Sequence, residues 1–407
     1  MYSLMLALYL GFSGCQYVGN SGKCYYTDTP TYKHTNTPPM NLPNPHFPRP
    51  QLHTSKAQLR EQYGLEKVYR LSYNESVLGP SPKAVAAMQA AAAEVGDYPA
   101  FADAPLRDVL AETWGRGLTA DHFYTASSGY ETIELALRVF LQAGDEMIVA
   151  HPTFGIYDKL AHIQRARVVD VPLLLPDFGL DVAGILAAVT DKTRVLLLCN
   201  PNNPTGTIFS AETLHSLITQ LPNHILIISD EVYIDFVDSA EFPDTLSYIL
   251  HDHPIVMIQS FSKAYGMAGL RLGYAIAPPA IANHIAGIQR GFHQNRMQLA
   301  GGIAALRDQA HKQANVQAAR DGKHWLYAQC DRLGLSYIPS QTNFFVLRLP
   351  NHVQAATIAQ NLLPAGIMVR PLKGRGLDNC LRISIGPPAA NQLFIVNLAR
   401  LLAQKPA

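Results

Sequence analysis

Ser260, Ser262, Lys263 and Arg271 stand close together in the segment Ser260-Phe261-Ser262-Lys263-Ala264-Tyr265-Gly266-Met267-Ala268-Gly269-Leu270-Arg271-Leu272-Gly273. One amine, two hydroxyls and a guanidinium at this spacing can hold a phosphorylated group and bond to it covalently. A lysine with the ordinary pKa of ~10.4 is neutral in only about one molecule in a few thousand at pH 7. A nucleophilic lysine therefore needs help, and a resident aldehyde cofactor provides it by converting the amine to a Schiff base. Ser260, Ser262 and Arg271 are donors suited to that cofactor's phosphate. The same residues also fit a surface Lys and Arg in a glycine-rich loop.

Other chemistry-bearing residues are spread along the chain. Asn203 lies in Asn200-Pro201-Asn202-Asn203-Pro204-Thr205-Gly206, which is either a plain turn or a loop that sends one amide into a cleft. Asp230 ends an apolar run, so its carboxylate is costly there unless paired. It fits a capping residue or the counter-ion of a protonated ring nitrogen. Tyr233 would share its helical face if the chain turns helical there. Ser127-Ser128-Gly129-Tyr130-Glu131 precedes a helix expected to begin near Thr132, whose N-terminus favours an anion. Phe154, in His151-Pro152-Thr153-Phe154-Gly155, fits the core or a stacking surface for a flat ring.

The elements that must position these residues read as an α/β fold. Continuous apolar runs at 147–149, 195–198, 225–228 and 255–258 predict strands buried on both faces of a mostly parallel sheet. Polar residues follow three of these runs directly, and ligands bind at the carboxyl ends of such strands. Loops far apart in sequence are thus expected on one rim. Helices are expected from Ser81-Pro82 to a stop at Gly96, and over 131–142 with Gly144 as the stop. After about residue 300 a long helical segment gives way to strands near 342–347, 367–370 and 381–385, which predicts a second domain.

Composition narrows the class. The chain of 407 residues is 48% hydrophobic and 15% charged, with a net charge of +1. That is globular, with no global pull toward nucleic acid or an anionic membrane. Its five cysteines (Cys15, Cys24, Cys199, Cys330 and Cys380) have no metal-ligand spacing, so no metal is expected. They suit a reducing compartment. The apolar run at 4–10 lacks a preceding basic residue and is too short to span a bilayer. Residues 1–60 are expected to be an extension or arm, with Met40 an alternative start, and the protein is expected in the cytoplasm.

Taken together, residues from about 71 to 399 resemble the pyridoxal-phosphate-dependent aminotransferases of class I/II, fold type I. The resemblance implies a large cofactor-binding domain at 61–298, with a mostly parallel seven-stranded sheet flanked by helices. A smaller α+β domain would occupy 299–407. It implies that Lys263 carries pyridoxal 5'-phosphate and moves the proton. Asn203 and Tyr233 would bond the cofactor's phenolic oxygen, Asp230 its ring nitrogen, and Phe154 would stack on it. Ser128, Gly129, Tyr130, Ser260, Ser262 and Arg271 would hold its phosphate. Arg382, in Leu381-Arg382-Ile383-Ser384-Ile385-Gly386, matches the arginine that forks onto the substrate α-carboxylate. The family's active sites are built across a homodimer, and Tyr98 resembles the tyrosine that reaches the partner's cofactor phosphate. An amino donor and a 2-oxo acid acceptor, with 2-oxoglutarate expected, would react in turn.

Within the family, Tyr73-Asn74-Glu75-Ser76-Val77-Leu78-Gly79-Pro80-Ser81-Pro82 resembles the Asn-Glu-Asn-Pro-Leu-Gly-Pro-Ser-Pro segment of histidinol-phosphate aminotransferases. This likeness makes Asn74 and Arg370 candidate substrate contacts, the latter for the substrate phosphate. Two departures stand out. The subfamily's Tyr-x-Pro-Gly-Lys segment is replaced by Arg49-Pro50-Gln51-Leu52-His53-Thr54-Ser55, and Tyr130 stands where an Asp is usual. Aminotransferases for other amino acids, aromatic ones included, and decarboxylases acting on phosphorylated threonine share the same cofactor residues.

Overall fold

Four uninterrupted apolar runs become four adjacent strands. The structure is a computed structural model that describes residues 54–403. The apolar run at 4–10, Cys15, Cys24 and Met40 lie outside the described residues. In chain order the strands are β1 (Tyr69–Arg70), β2 (Phe123–Ala126), β3 (Glu146–His151), β4 (Arg167–Pro172), β5 (Thr193–Cys199), β6 (Leu226–Asp230), β7 (Ile255–Ser260) and β8 (Gly273–Ile276). Then follow β9 (Ser336–Ile338), β10 (Phe344–Arg348), β11 (Ile367–Met368), β12 (Arg370–Pro371) and β13 (Cys380–Ser384).

A seven-stranded sheet has the order β2-β8-β7-β6-β5-β3-β4. All its pairings are parallel except those of β8, which runs antiparallel to both β2 and β7. Strand residues alternate between two cores. Met147, Val149, Val195, Leu197, Ile228 and Val256 pack on one face, and Ile148, Leu196, Leu198, Ile227 and Met257 on the other. Because both faces are covered, alternation of side chains leaves no polar position, and the strands read as continuous apolar runs. Each such side chain stabilises the fold by ~1.5–3 kcal/mol relative to leaving it in water.

Helices cap the sheet where the sequence provides N-caps, but their ends differ from expectation. Ser81 accepts from Lys83 N at 3.1 Å at the start of the helix Pro82–Ala92. That helix stops before Gly96: Ala93 closes it, and successive tight turns carry the chain through Glu94 to Asp97. A glycine stop was therefore not needed. The helix expected over 131–142 spans Gly129–Phe140, because Ser128 caps it by accepting from Glu131 N at 3.2 Å.

A four-stranded antiparallel layer, β12-β13-β10-β9, is built by the C-terminal part of the chain. Helices Gln309–Arg332 and Pro388–Ala403 pack on it through Leu326, Phe394 and Leu398 against Phe345, Leu347, Leu381 and Ile383. β1 pairs with β11, so residues 69–70 join this end of the molecule. The helix Lys56–Tyr63, with a Ser55/Gln58 capping box, occupies part of the expected arm. The expected boundary at 298/299 falls inside the helix Arg296–Leu306. Ala150, Leu173 and Phe178 pack against Ile338, Val346, Leu377 and Cys380, joining the two sheets.

Candidate active site

The loops after β5, β6 and β7 converge on one rim, and the strand register explains how. Cys199 pairs with Asp230, and Asp230 with Ile258, so the ends of three adjacent strands lie level. Asn200 N donates to Asp230 O at 3.0 Å. Asn202 ties the first loop down: its amide donates to Pro152 O at 2.9 Å and accepts from Thr153 Oγ1 at 2.8 Å. That leaves its neighbour Asn203 to meet Arg382, whose Nη1 donates to Asn203 Oδ1 at 2.5 Å.

Lys263 is half-buried, and its Nζ donates to Asn74 O at 3.3 Å and Tyr73 O at 3.5 Å. It also lies 5.3 Å from the centroid of the Tyr233 ring. Burial, and then the charge of Arg382, push the Lys263 ammonium down to about 8, against opposing pulls from Asp230 and Glu75. An amine so tuned exchanges protons near neutrality.

Asp230 is only 5% exposed. Burial raises its carboxyl, while the Tyr157 hydroxyl, the Val232 amide and Lys263 act in the opposite direction. Tyr157 donates to Asp230 Oδ2 at 2.6 Å and Val232 N to Oδ1 at 3.4 Å. Tyr157 was not among the expected site residues. Its sequence signal is weak, because a Tyr among Ile156, Leu160 and Ala161 reads as core; a buried phenol nevertheless requires a partner.

Tyr233 does not share a helical face with Asp230. The chain turns there, and Tyr233 caps a short 3-10 helix, Ile234–Phe236. The phenol is buried and accepts from Asn74 Nδ2 at 3.0 Å. Asn74 is buried with a positive φ of 55°, and its Oδ1 accepts from Ser384 Oγ at 2.9 Å. Both ends of this amide are engaged, by Tyr233 and by Ser384. Asn343 holds the same segment by donating to Asn74 O at 3.2 Å.

The anion-binding candidates surround the N-terminus of the helix Gly129–Phe140. Ser260 and Gly273 are paired directly across β7 and β8. A Cβ added at Gly273 would collide with Ser128 C and Gly129 N, so only glycine lets that helix start approach the strand. An added Cβ at Gly129 would lie 3.6 Å from Ser260 Cβ. Ser262 N donates to Ser260 Oγ at 3.1 Å. Arg271 is exposed, in the left-handed conformation (φ 58°), with Nη1 donating to Ala268 O at 2.9 Å. Tyr130 is partly buried against the core.

Phe154 is 44% exposed and meets Tyr157 edge-on, with centroids 5.8 Å apart. Arg382 reaches the rim from β13. Its Nη2 donates to Ser72 O at 2.7 Å, its Nε is buried with no hydrogen-bond partner among the described residues, and burial lowers its pKa. Arg370, exposed on β12, pairs directly with Arg382 across the sheet. Like charges in that register repel, and an anion between them would relieve the repulsion. Tyr98 stands apart from these contacts: it is 79% exposed, with its ring on Phe292 at 4.8 Å. Among the described residues there is no metal-binding group of His, Cys, Asp and Glu, and no helix is long and apolar enough to cross a membrane.

A fold with a mostly parallel central sheet, a lysine on the loop after β7 and an acid at the end of β6 is that of the fold-type I aminotransferases. Residues 66–397 match the family model of class I and II aminotransferases, and the chain belongs to that family of pyridoxal-phosphate-dependent enzymes. It is 36% identical over 347 residues to a histidinol-phosphate aminotransferase of Symbiobacterium thermophilum, covering 85% of this chain and 94% of that protein. Identity to the Moorella thermoacetica histidinol-phosphate aminotransferase is 33% over 347 residues, covering 85% and 88%. The crystal structure of the Sinorhizobium meliloti histidinol-phosphate aminotransferase in complex with pyridoxal-5'-phosphate superposes with a TM-score of 0.78. Sequence identity there is 26%, covering 87% of this chain and 96% of that one.

The residues present suit the cofactor. Asp230 is a buried acid whose hydrogen-bond partners are neutral donors, and a protonated ring nitrogen would provide a positive charge in direct contact. The close approach of Gly273 to Gly129 brings a helix N-terminus beside Ser260, which is a cradle for a phosphate.

Proposed function

We propose that this chain transfers the amino group of histidinol phosphate to a 2-oxo acid, with 2-oxoglutarate as acceptor, and that it does so as a cytoplasmic homodimer. Lys263 would hold pyridoxal phosphate covalently, Asp230 its ring nitrogen, Asn203 and Tyr233 its ring oxygen, and Phe154 its face. Ser128, Gly129, Tyr130, Ser260, Ser262 and Arg271 would hold its phosphate. When bound, the cofactor supplies an electron sink for the charge left as a proton departs from the carbon bearing the amine.

The chain's own groups do the rest. Lys263 takes and returns that proton, and an amine tuned to about 8 suits both directions. Asp230 remains ionised when it faces a positive ring, and Tyr157 fixes its orientation. Asn74 orients Tyr233, and Ser384 fixes Asn74 in turn. Arg382 and Arg370 orient the anionic groups of whichever substrate is present: the donor's phosphate or the acceptor's carboxylate. The directly opposed Arg370 and Arg382 are the observation that carries the choice of a phosphorylated or dianionic substrate. The exposed aromatic group Tyr98, Phe101 and Phe292 supports self-association, with Tyr98 reaching the partner's phosphate cradle.

One observation favours a second reading, an aminotransferase for an aromatic amino acid. Residues 49–55 contain no tyrosine to contact a substrate phosphate. A single half-reaction separates the two. The cofactor-loaded enzyme is mixed with histidinol phosphate or with phenylalanine in the absence of acceptor, and the visible absorbance of the cofactor is followed. Histidinol phosphate should bleach it at the lower concentration; a response to phenylalanine alone would overturn the proposed donor.

A further inference from the structure

A cavity of about 240 Å³ lies between the helix Ala104–Trp114, the short helix Ile234–Phe236, the loop after β7 and the start of the helix Gln309–Arg332. None of its lining residues belongs to the cofactor or substrate set described above. Its walls are Trp114, Tyr265 and Tyr274, and its charged edge is Asp235 and Lys312, with Gln309 beside them. Lys312 Nζ lies 2.9 Å from Asp235 Oδ1, and both side chains are about three-quarters or more buried, being 19% and 25% exposed. The same ammonium lies 5.2 Å from the centroid of the Tyr265 ring. Two walls are locked: Trp114 Nε1 donates to Tyr274 Oη at 3.0 Å, and Gln309 Nε2 to Tyr265 Oη at 3.4 Å.

These groups define a ligand. A space of ~150 Å³ already accepts a benzene ring, so this one has room for a ring and a short charged end. A lone cation or anion would satisfy one member of the Asp235–Lys312 pair and compete with the other. A molecule with both charges on groups attached to one carbon can lie antiparallel to the pair, giving each charge a second opposite neighbour through charge-assisted hydrogen bonds. Aromatic walls favour a flat side chain. We propose that the cavity binds a free L-α-amino acid with an aromatic side chain, at a site distinct from the cleft around Lys263. It also touches both loops of that cleft, since Tyr265 follows Lys263 and Asp235 follows Tyr233 by two residues each.

The proposal does not depend on the choice of histidinol phosphate as donor. Trp325→Phe leaves Trp114 as the sole tryptophan in a chain that has two, so the emission of the cofactor-loaded variant reports on the cavity. Titration with L-phenylalanine should shift that emission saturably. At equal concentrations 2-phenylethylamine, which lacks the carboxylate, and 3-phenylpropionate, which lacks the ammonium, should bind at least about tenfold more weakly, the loss expected for one charged hydrogen bond. Adding Lys312→Met, which keeps an unbranched aliphatic side chain, should weaken L-phenylalanine by a similar factor and leave the histidinol-phosphate half-reaction unchanged. No saturable shift, an equal response to all three ligands, or an unaltered affinity in the Lys312→Met variant would each overturn the site. The ligand series alone decides if that variant does not fold. An intact emission response alongside a failed half-reaction would instead count against the donor, leaving the cavity proposal standing.

Discussion

The two sheets meet one cleft with opposite electrostatic character. The parallel sheet presents Asp230, a buried acid whose carboxyl is raised by desolvation, with Tyr233 and Lys263 around it. The antiparallel layer presents Arg382 and Arg370 in direct register, one of them with a buried donor left over. One region holds a negative charge in need of a cation, the other positive charges in need of an anion. A ligand set with a protonated ring on one side and carboxylate or phosphate on the other answers both. The parallel end is set by three adjacent buried strands, which suits a permanent cofactor. Arg370 is exposed on a short edge strand, which suits a substrate that comes and goes.

The comparison is broken most severely at its negative pole. Asp230→Asn should cut the transamination rate by about 10²–10³-fold, the scale of losing one preorganised electrostatic partner, while leaving cofactor attachment in place. Rapid-mixing kinetics on the loaded variant measure this, and a rate within a few-fold of wild type would remove Asp230 from the role. At the positive pole, Arg382→Lys retains charge but loses the fork. The KM for the amino donor should rise by roughly 10–100-fold, corresponding to ~1.5–3 kcal/mol for a charge-assisted contact. An unaltered KM would mean that the donor's phosphate binds elsewhere.

The smallest effect links the two poles through Lys263. In the cofactor-free protein its ammonium is pushed down to about 8 by burial and by Arg382. Labelling of Lys263 by an amine reagent should therefore rise with pH through about 8, and Arg382→Met should move that midpoint upward. Below pH 8 the folded and unfolded chains both carry the proton, and the cost of the buried charge is fully present. Between about 8 and 10.5 the unfolded chain binds more protons, so this group's contribution to stability rises with pH across that window. A labelling midpoint near that of a solvent-exposed lysine would show that the poles do not communicate.

Most of the parallel half was legible in the sequence because its determinants are local. Short uninterrupted apolar runs fit strands covered on both faces, and the polar residues that end them then share a rim. Lys263, Asp230 and Asn203 follow from that geometry without knowledge of packing. What could not be read depends on contacts across the chain. Asn202 and Asn203 are chemically identical neighbours, and only the fold turns one to the Pro152 carbonyl and the Thr153 hydroxyl and the other to Arg382. Tyr157 reads as a core residue until its hydroxyl is found on Asp230, 73 residues away in sequence. Nothing local in the sequence shows that Tyr233 and Ser384, 159 and 310 residues away, engage both ends of the Asn74 amide. The helix expected to stop at Gly96 closed at Ala93 because successive turns satisfied its last carbonyls.

The central claim is that Lys263 is the covalent anchor on which both poles act. Borohydride reduction of the cofactor-loaded enzyme, followed by peptide mapping by mass spectrometry, tests it directly. A pyridoxyl group on Lys263, absent from the Lys263→Ala variant, is the expected result. The group found on another lysine, or on none, would contradict the account.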